Sequence, residues 1–188
     1  MTPAALKAPE RVETERLVLR RPRLEDADAV FARYASDPEV SKYMAWRLHD
    51  SPSITRAFLE FSDAEWARWP AGPYLVESRE DGRLLGGTGL AFETPHRTAT
   101  GYVFARDAWG RGFATEAVRA IVNITRDLGV VRLYALCHVD HGQSSRVLEK
   151  AGFTREGILQ RYLEFPNLPS NGPADVWCYA RIFDDNRR

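Results

Sequence analysis

The chain has 188 residues, 44% of them hydrophobic, with 26 basic side chains against 26 acidic ones. That length and apolar content predict one domain over residues 1–188, with the first dozen (1–12) as a flexible arm. Balanced charge excludes a strong electrostatic pull toward nucleic acid or an anionic membrane, so a small molecule or a peptide is the expected partner. No apolar run approaches the roughly 20 residues of a bilayer span, and MTPAALKAPER lacks the apolar centre of a signal peptide. The expected location is therefore the cytoplasm. Cys137 and Cys178 each lie in an apolar run, the setting of buried reduced thiols rather than of a disulfide framework.

ERLVLRR (15–21) alternates apolar and charged residues and reads as a half-exposed strand. From 23 to 36 the period changes to that of a helix, with Leu24, Ala27, Val30, Phe31 and Tyr34 on one face. A second helix follows Ser53, and its spacing puts Ile54, Phe58, Phe61 and Trp66 together. Two strand-like runs from 73 to 92 flank Asp81-Gly82, a strong hairpin signal, and TATGYVFAR (98–106) makes a third adjacent strand. Next come a turn with Gly110 and Gly112, a helix to about Leu128, and an apolar strand over 130–139. A short helix stopped by Gly152 and a strand in ADVWCYARI complete the order. The sum is an α/β fold with a mixed, mostly antiparallel sheet, whose single clear parallel crossover surrounds Gly110.

Glycines in front of a helix let a backbone approach a bulky group, and the helix end offers unpaired N–H groups to an anion. A phosphate-binding loop of the P-loop type needs Lys and Ser or Thr after its second glycine, and no stretch has them. The dinucleotide fingerprint needs a third small residue where Thr115 stands, and a parallel strand early in the chain, which is missing. A tight connection without a ligand stays open on these residues alone.

WGRGFATEA and SSRVLEKAGF, taken with TERLVLRRPRLEDADAVF, closely resemble the GNAT superfamily of acyl-CoA N-acyltransferases. Within it the likeness is to the branch of the ribosomal-protein N-terminal acetyltransferases, and it runs over residues 13–182. The resemblance implies a six- to seven-stranded sheet with helices on both faces and two central strands splayed into a slot for pantetheine. Phe104, Ala105 and Arg106 would stand on one wall and His138 on the other. The diphosphate of acetyl-CoA would rest on the N–H groups of Arg111, Gly112, Phe113, Ala114 and Thr115. His141 replaces an asparagine that helps relatives hold the pantetheine arm.

By the same resemblance Ser144 lies near the thioester sulfur as the general acid, although a serine in a helix's first turn also serves as a cap. Glu164 in LQRYLEF falls within one residue of the base proposed for relatives. Ala99 stands where many relatives carry a glutamate, which leaves Glu93 as a further base candidate. Tyr43 and Trp46 fall in the region that walls the acceptor pocket. Cys137 and His138 are neighbours on a strand and point to opposite faces, so with His141 they make no metal site. The implied activity is acetyl transfer from acetyl-CoA, as co-substrate and without a metal, to a small-molecule amine or a protein N-terminus, by a monomer or homodimer. A CoA-binding sensor without turnover, or a transferase using another acyl-CoA or acceptor, shares these motifs.

Overall fold

In a computed structural model of the chain, residues 6–169 and 172–184 are described. They form one eight-stranded sheet in the order β1-β2-β3-β4-β5-β6-β8-β7. β1 (Arg11–Glu13) and β2 (Leu17–Arg20) lead into a helical stretch made of a 3-10 turn (Leu24–Asp26), α1 (Ala27–Val30) and a π-helical turn (Phe31–Ala35). α2 (Pro38–Ser41) and α3 (Pro52–Arg68) each begin with a proline, whose missing N–H costs nothing in a first turn. Asp37 adds a cap by accepting from the Glu39 N–H at 3.0 Å.

β3 (Pro73–Ser78), β4 (Leu84–Thr94) and β5 (Arg97–Phe104) form an antiparallel run, with Gly82 in the left-handed region at φ +69° in the first turn. α4 (Phe113–Asp127) then crosses to β6 (Arg132–His138), and α5 (Gly142–Lys150) crosses to β7 (Thr154–Leu163) and β8 (Ala174–Ile182). Alternation along the strands divides the core between two faces. Tyr74, Val76, Leu85 and Phe104 face α4 and α5, together with Ala117, Val118 and Ile121. Leu75, Leu84 and Ala105 face the other way, against Val30, Tyr34, Ala35 and Val40. Helices therefore cover both faces.

Three expectations are revised. The sheet has eight strands rather than six or seven, because β1 and β7 carry little alternation: β1 is three residues long, and β7 is exposed at most positions. Residues 8–13 do not hang free as part of an arm. Ala8 is buried and donates its N–H to the Pro70 carbonyl, and β1 pairs with β2; residues 1–5 lie outside the described residues. On α3 the buried face is Thr55, Leu59, Ser62 and Trp66, while Ile54, Phe58 and Phe61 are exposed, as is Leu24 in the preceding helical stretch. Trp66 decides the phase, because its indole packs edge-on against Tyr74 and donates to the Pro73 carbonyl at 2.7 Å. Burying one large ring outweighs leaving three smaller apolar side chains partly wet.

The sheet's one parallel pair decides where a ligand can enter. β5 and β6 pair only at Arg97↔Arg132, Thr98↔Leu133 and Ala99↔Tyr134. Beyond that point β5 stays with β4 as far as Phe104↔Gly86, and β6 stays with β8 as far as His138↔Val176. Each strand keeps its outer partner and loses its inner one, so the sheet opens into a V.

Candidate active site

One wall of the V is the inner edge of β5. The Ala105 N–H donates to the Leu85 carbonyl at 2.8 Å, which sets the antiparallel alternation. Main-chain groups of Tyr102 and Phe104 therefore face away from β4, toward the gap. The Phe104 carbonyl accepts from the Trp109 indole at 2.7 Å, and the Arg106 guanidinium pairs with Asp37 at 2.7 Å. Phe104, Ala105 and Arg106 flank the opening, with several of their polar groups engaged inside the chain.

At the wide end lies the glycine turn. Gly110 and Gly112 have φ of +72° and +80°, the left-handed region that costs a residue with Cβ about 1–2 kcal/mol. Gly112 is the N-cap of α4 and no side chain caps the helix. The first bond of the helix is from the Glu116 N–H to the Gly112 carbonyl at 3.1 Å. The N–H groups of Phe113, Ala114 and Thr115 therefore have no partner within the helix and point out of its positive end. Arg111 lays its guanidinium 4.8 Å from the centre of the Phe113 ring.

On the helix side of the V, Tyr102 and Ser144 meet. The Tyr102 hydroxyl is 2.7 Å from Ser144 Oγ and donates to the Ser144 carbonyl at 3.0 Å. Burial pushes the phenol's pKa far up, so it stays protonated. Its single proton can go to the carbonyl or to Oγ; in the second arrangement the Ser144 hydroxyl is free to donate to a third atom. Cys137 faces the same side, with Sγ 3.5 Å from Ser145 Oγ, while His138 faces the other. Burial raises the thiol's pKa, which keeps it unreactive.

Opposite, four rings gather at the strand ends. Tyr43 stacks on His141 with centroids 4.6 Å apart and lies 5.2 Å from His138, whose ring meets Phe165 edge-on at 4.9 Å. His138 Nδ1 accepts from the Asp140 N–H at 3.1 Å. Burial, and then the neighbouring His138, lower the pKa of His141. At neutral pH it is a free imidazole, and neither ring nitrogen has a hydrogen-bond partner among the described residues. Asn167 ties this wall together: its Nδ2 donates to the Ser41 and Trp46 carbonyls at 2.7 and 2.8 Å, and its Oδ1 accepts from the Leu48 N–H at 2.9 Å.

The structure thus gathers Tyr43, His138, His141 and Ser144 around the V. Trp46 stands one step back, 5.0 Å from His49. Glu164 is exposed beside the buried Phe165 and makes no hydrogen bond among the described residues. Glu93 lies apart, near the narrow end where β5 and β6 still pair, with its carboxylate held by the Tyr134 hydroxyl and, at 2.6 Å, by Arg97. Sequence reasoning missed Tyr102, Phe165 and Asn167. Tyr102 had one local sign, since Thr98, Thr100 and Tyr102 put three hydroxyls on one face of β5. The other two are given meaning only by distant partners.

A forked parallel pair, a row of open N–H groups at one end and a hydroxyl pair inside suit a long acyl donor with a diphosphate tail, and the residues present fit acyl-CoA. Comparison with known proteins agrees. The GNAT acetyltransferase domain profile matches residues 16–154, and the chain belongs to that family. It is an acetyl-CoA-dependent N-acetyltransferase. The uncharacterized N-acetyltransferase YoaA of Bacillus subtilis is 33% identical over 181 residues, 91% of this chain and 96% of that one. Two solved structures share the fold. RimL, a ribosomal L7/L12 α-N-protein acetyltransferase solved with coenzyme A, has a TM-score of 0.83 at 21% identity, covering 94% of this chain and all of that one. The microcin C7 self-immunity acetyltransferase MccE, solved with acetyl-CoA and AMP, has a TM-score of 0.82 at 20% identity, covering 95% and 99%. Among the described residues, no helix is long and apolar enough to cross a membrane.

Proposed function

We propose that the chain passes the acetyl group of acetyl-CoA directly to a primary amine bound beside Tyr43 and Trp46. The observation that carries this reading is the fork: β5 and β6 pair over three residues and then part, between the open end of α4 and the Tyr102–Ser144 pair. The diphosphate rests on the N–H groups of residues 111–115, and the pantetheine arm follows the inner edge of β5 toward Tyr102. The bound donor supplies the activated thioester.

Holding an amine against that thioester removes most of the entropic barrier, so modest acid–base help completes the reaction. Ser144 donates a proton to the departing thiolate and regains one from solvent once the amine's proton has been released there, while Tyr102 keeps its own proton and donates a hydrogen bond to Ser144 Oγ. Of the base candidates, His141 is favoured over Glu164. It is neutral, it faces Tyr43, and its ring nitrogens are open, whereas Glu164 is exposed to solvent beside the buried Phe165. Glu93 is already paired and serves the β5–β6 junction.

The ring-lined wall suits either a protein N-terminus, the acceptor in RimL's name, or a compact amine. Thiol release from acetyl-CoA across a panel of N-terminal peptides, amino acids, polyamines and aminated nucleotides tests the reading. Turnover above background with at least one primary amine is expected. Tight CoA binding with no turnover on any member overturns it in favour of a sensor.

A further inference from the structure

We infer that Arg16, in the turn between β1 and β2, is a positioning residue for the diphosphate site, working through Glu116 and the Arg111 carbonyl. This rests on the reading of the glycine turn as the diphosphate site. The contacts form a closed clasp. Glu116 Oε1 accepts from Thr14 Oγ1 at 2.6 Å and from the Arg16 N–H at 2.8 Å, and its Oε2 accepts from Arg16 Nε at 2.7 Å, with Arg16 Nη2 also at 2.7 Å. Arg16 Nη1 donates to the Arg111 carbonyl at 3.0 Å, and the guanidinium sits 4.8 Å from the Phe113 ring centre, as does that of Arg111.

Two consequences follow from elementary geometry and charge. In a trans peptide the C=O and N–H point in opposite directions, so a carbonyl of Arg111 drawn to Arg16 turns the Gly112 N–H the other way, one residue ahead of the open N–H groups of α4. The same guanidinium occupies the space over Gly112, where an added Cβ would lie 3.4 Å from Arg16 Nη2. The second consequence concerns Glu116. Burial alone would raise its pKa, but the bonds from Thr14 and Arg16 hold it below the usual carboxylate range. An ionised carboxylate in the first turn of α4 would repel a diphosphate bound there unless a cation matched it. Arg16 is that cation, so the clasp both aims the donors and cancels a charge that opposes the ligand.

The test compares CoA with pantetheine, which lacks the diphosphate, by calorimetric titration or competition. Wild-type protein should bind CoA at least tenfold more tightly than pantetheine. Arg16→Gln should lower CoA affinity about tenfold or more and leave pantetheine within twofold, the size expected for lost bonds to a charged group. Arg16→Lys keeps the charge but loses the carbonyl bond, and should fall between. Adding Glu116→Gln to Arg16→Gln should recover about threefold or more of the lost CoA affinity, since the unmatched carboxylate is gone. A purely structural role would weaken both ligands alike and show no recovery, and either result overturns the inference. If wild-type protein binds CoA no better than pantetheine, the diphosphate reading itself falls. Should Arg16→Gln fail to fold by circular dichroism, the Arg16→Lys comparison decides by the same criteria.

Discussion

At the glycine turn, charge ties residues 105–116 to the rest of the molecule: Arg33 and Arg83 grip Asp107 at 2.8 and 2.9 Å, Asp37 grips Arg106, and Arg16 grips Glu116. At the strand ends opposite, Tyr43, His138, His141 and Phe165 meet as rings, and Asn167 is the side chain that stitches 41–48 to the β7–β8 connection. Hydrogen bonds and ion pairs are directional and hold one geometry, while ring contacts tolerate tilting and repacking. The difference matches the chemistry on each side. On the proposed assignment the donor site rewards a rigid mould, whereas the acceptor wall can be rebuilt without disturbing it.

The largest effect should come from breaking the donor end. Gly112→Glu places a carboxylate against the diphosphate and forces a side chain into φ +80°, and CoA affinity should fall at least a hundredfold by calorimetry. The strain should cost about 1–3 kcal/mol in denaturant melts, leaving the fold intact. Unchanged CoA affinity would remove the turn from the binding site.

Next in size is the chemistry between the ends. His141→Gln keeps a hydrogen-bonding side chain but no titrating nitrogen, and kcat should drop about a hundredfold with CoA affinity within threefold. Glu164→Gln should stay within threefold of wild type. The sign with pH follows from the lowered pKa of His141: the base form prevails at neutral pH. The rate should be flat there and fall in acid, beginning below the ordinary imidazole value of about 6.5. A profile that falls instead near the ordinary carboxylate value of about 4.3, together with a large loss in Glu164→Gln, would transfer the role to that glutamate.

The smallest effect sharpens the contrast at the acceptor wall. Asn167→Ala removes three hydrogen bonds and frees the 41–48 stretch, so kcat/KM for the amine should fall about tenfold while CoA affinity stays within twofold. Equal losses for donor and acceptor would mean that the two ends are not independent.

Much of the proposed donor end was legible in the sequence. Gly110 and Gly112 in front of an amphipathic run announce a left-handed turn and an open helix end, and the motif at 138–153 supplies the second wall. These are local signals, set by residues within a few positions of each other. The acceptor end was only half legible. Tyr43 and Trp46 were marked by their place in the chain, but Phe165 and Asn167 lie more than 110 positions away, and no spacing links them. Periodicity on α3 also misled: the apolar spacing Ile54, Phe58, Phe61 was real, yet the burial of Trp66 against Tyr74 chose the neighbouring stripe.

The sequence by itself determined the order of the elements, the mixed sheet and the site of the glycine turn, because strand alternation, helix period and the φ demands of glycine act within a few residues. Tertiary structure alone decided where β5 leaves β6, that Tyr102 reaches Ser144, and that Arg16 closes on Glu116 a hundred residues on. These depend on which strand edge finds its outer partner and on charges that meet only when distant segments pack, and neither is written in any local pattern.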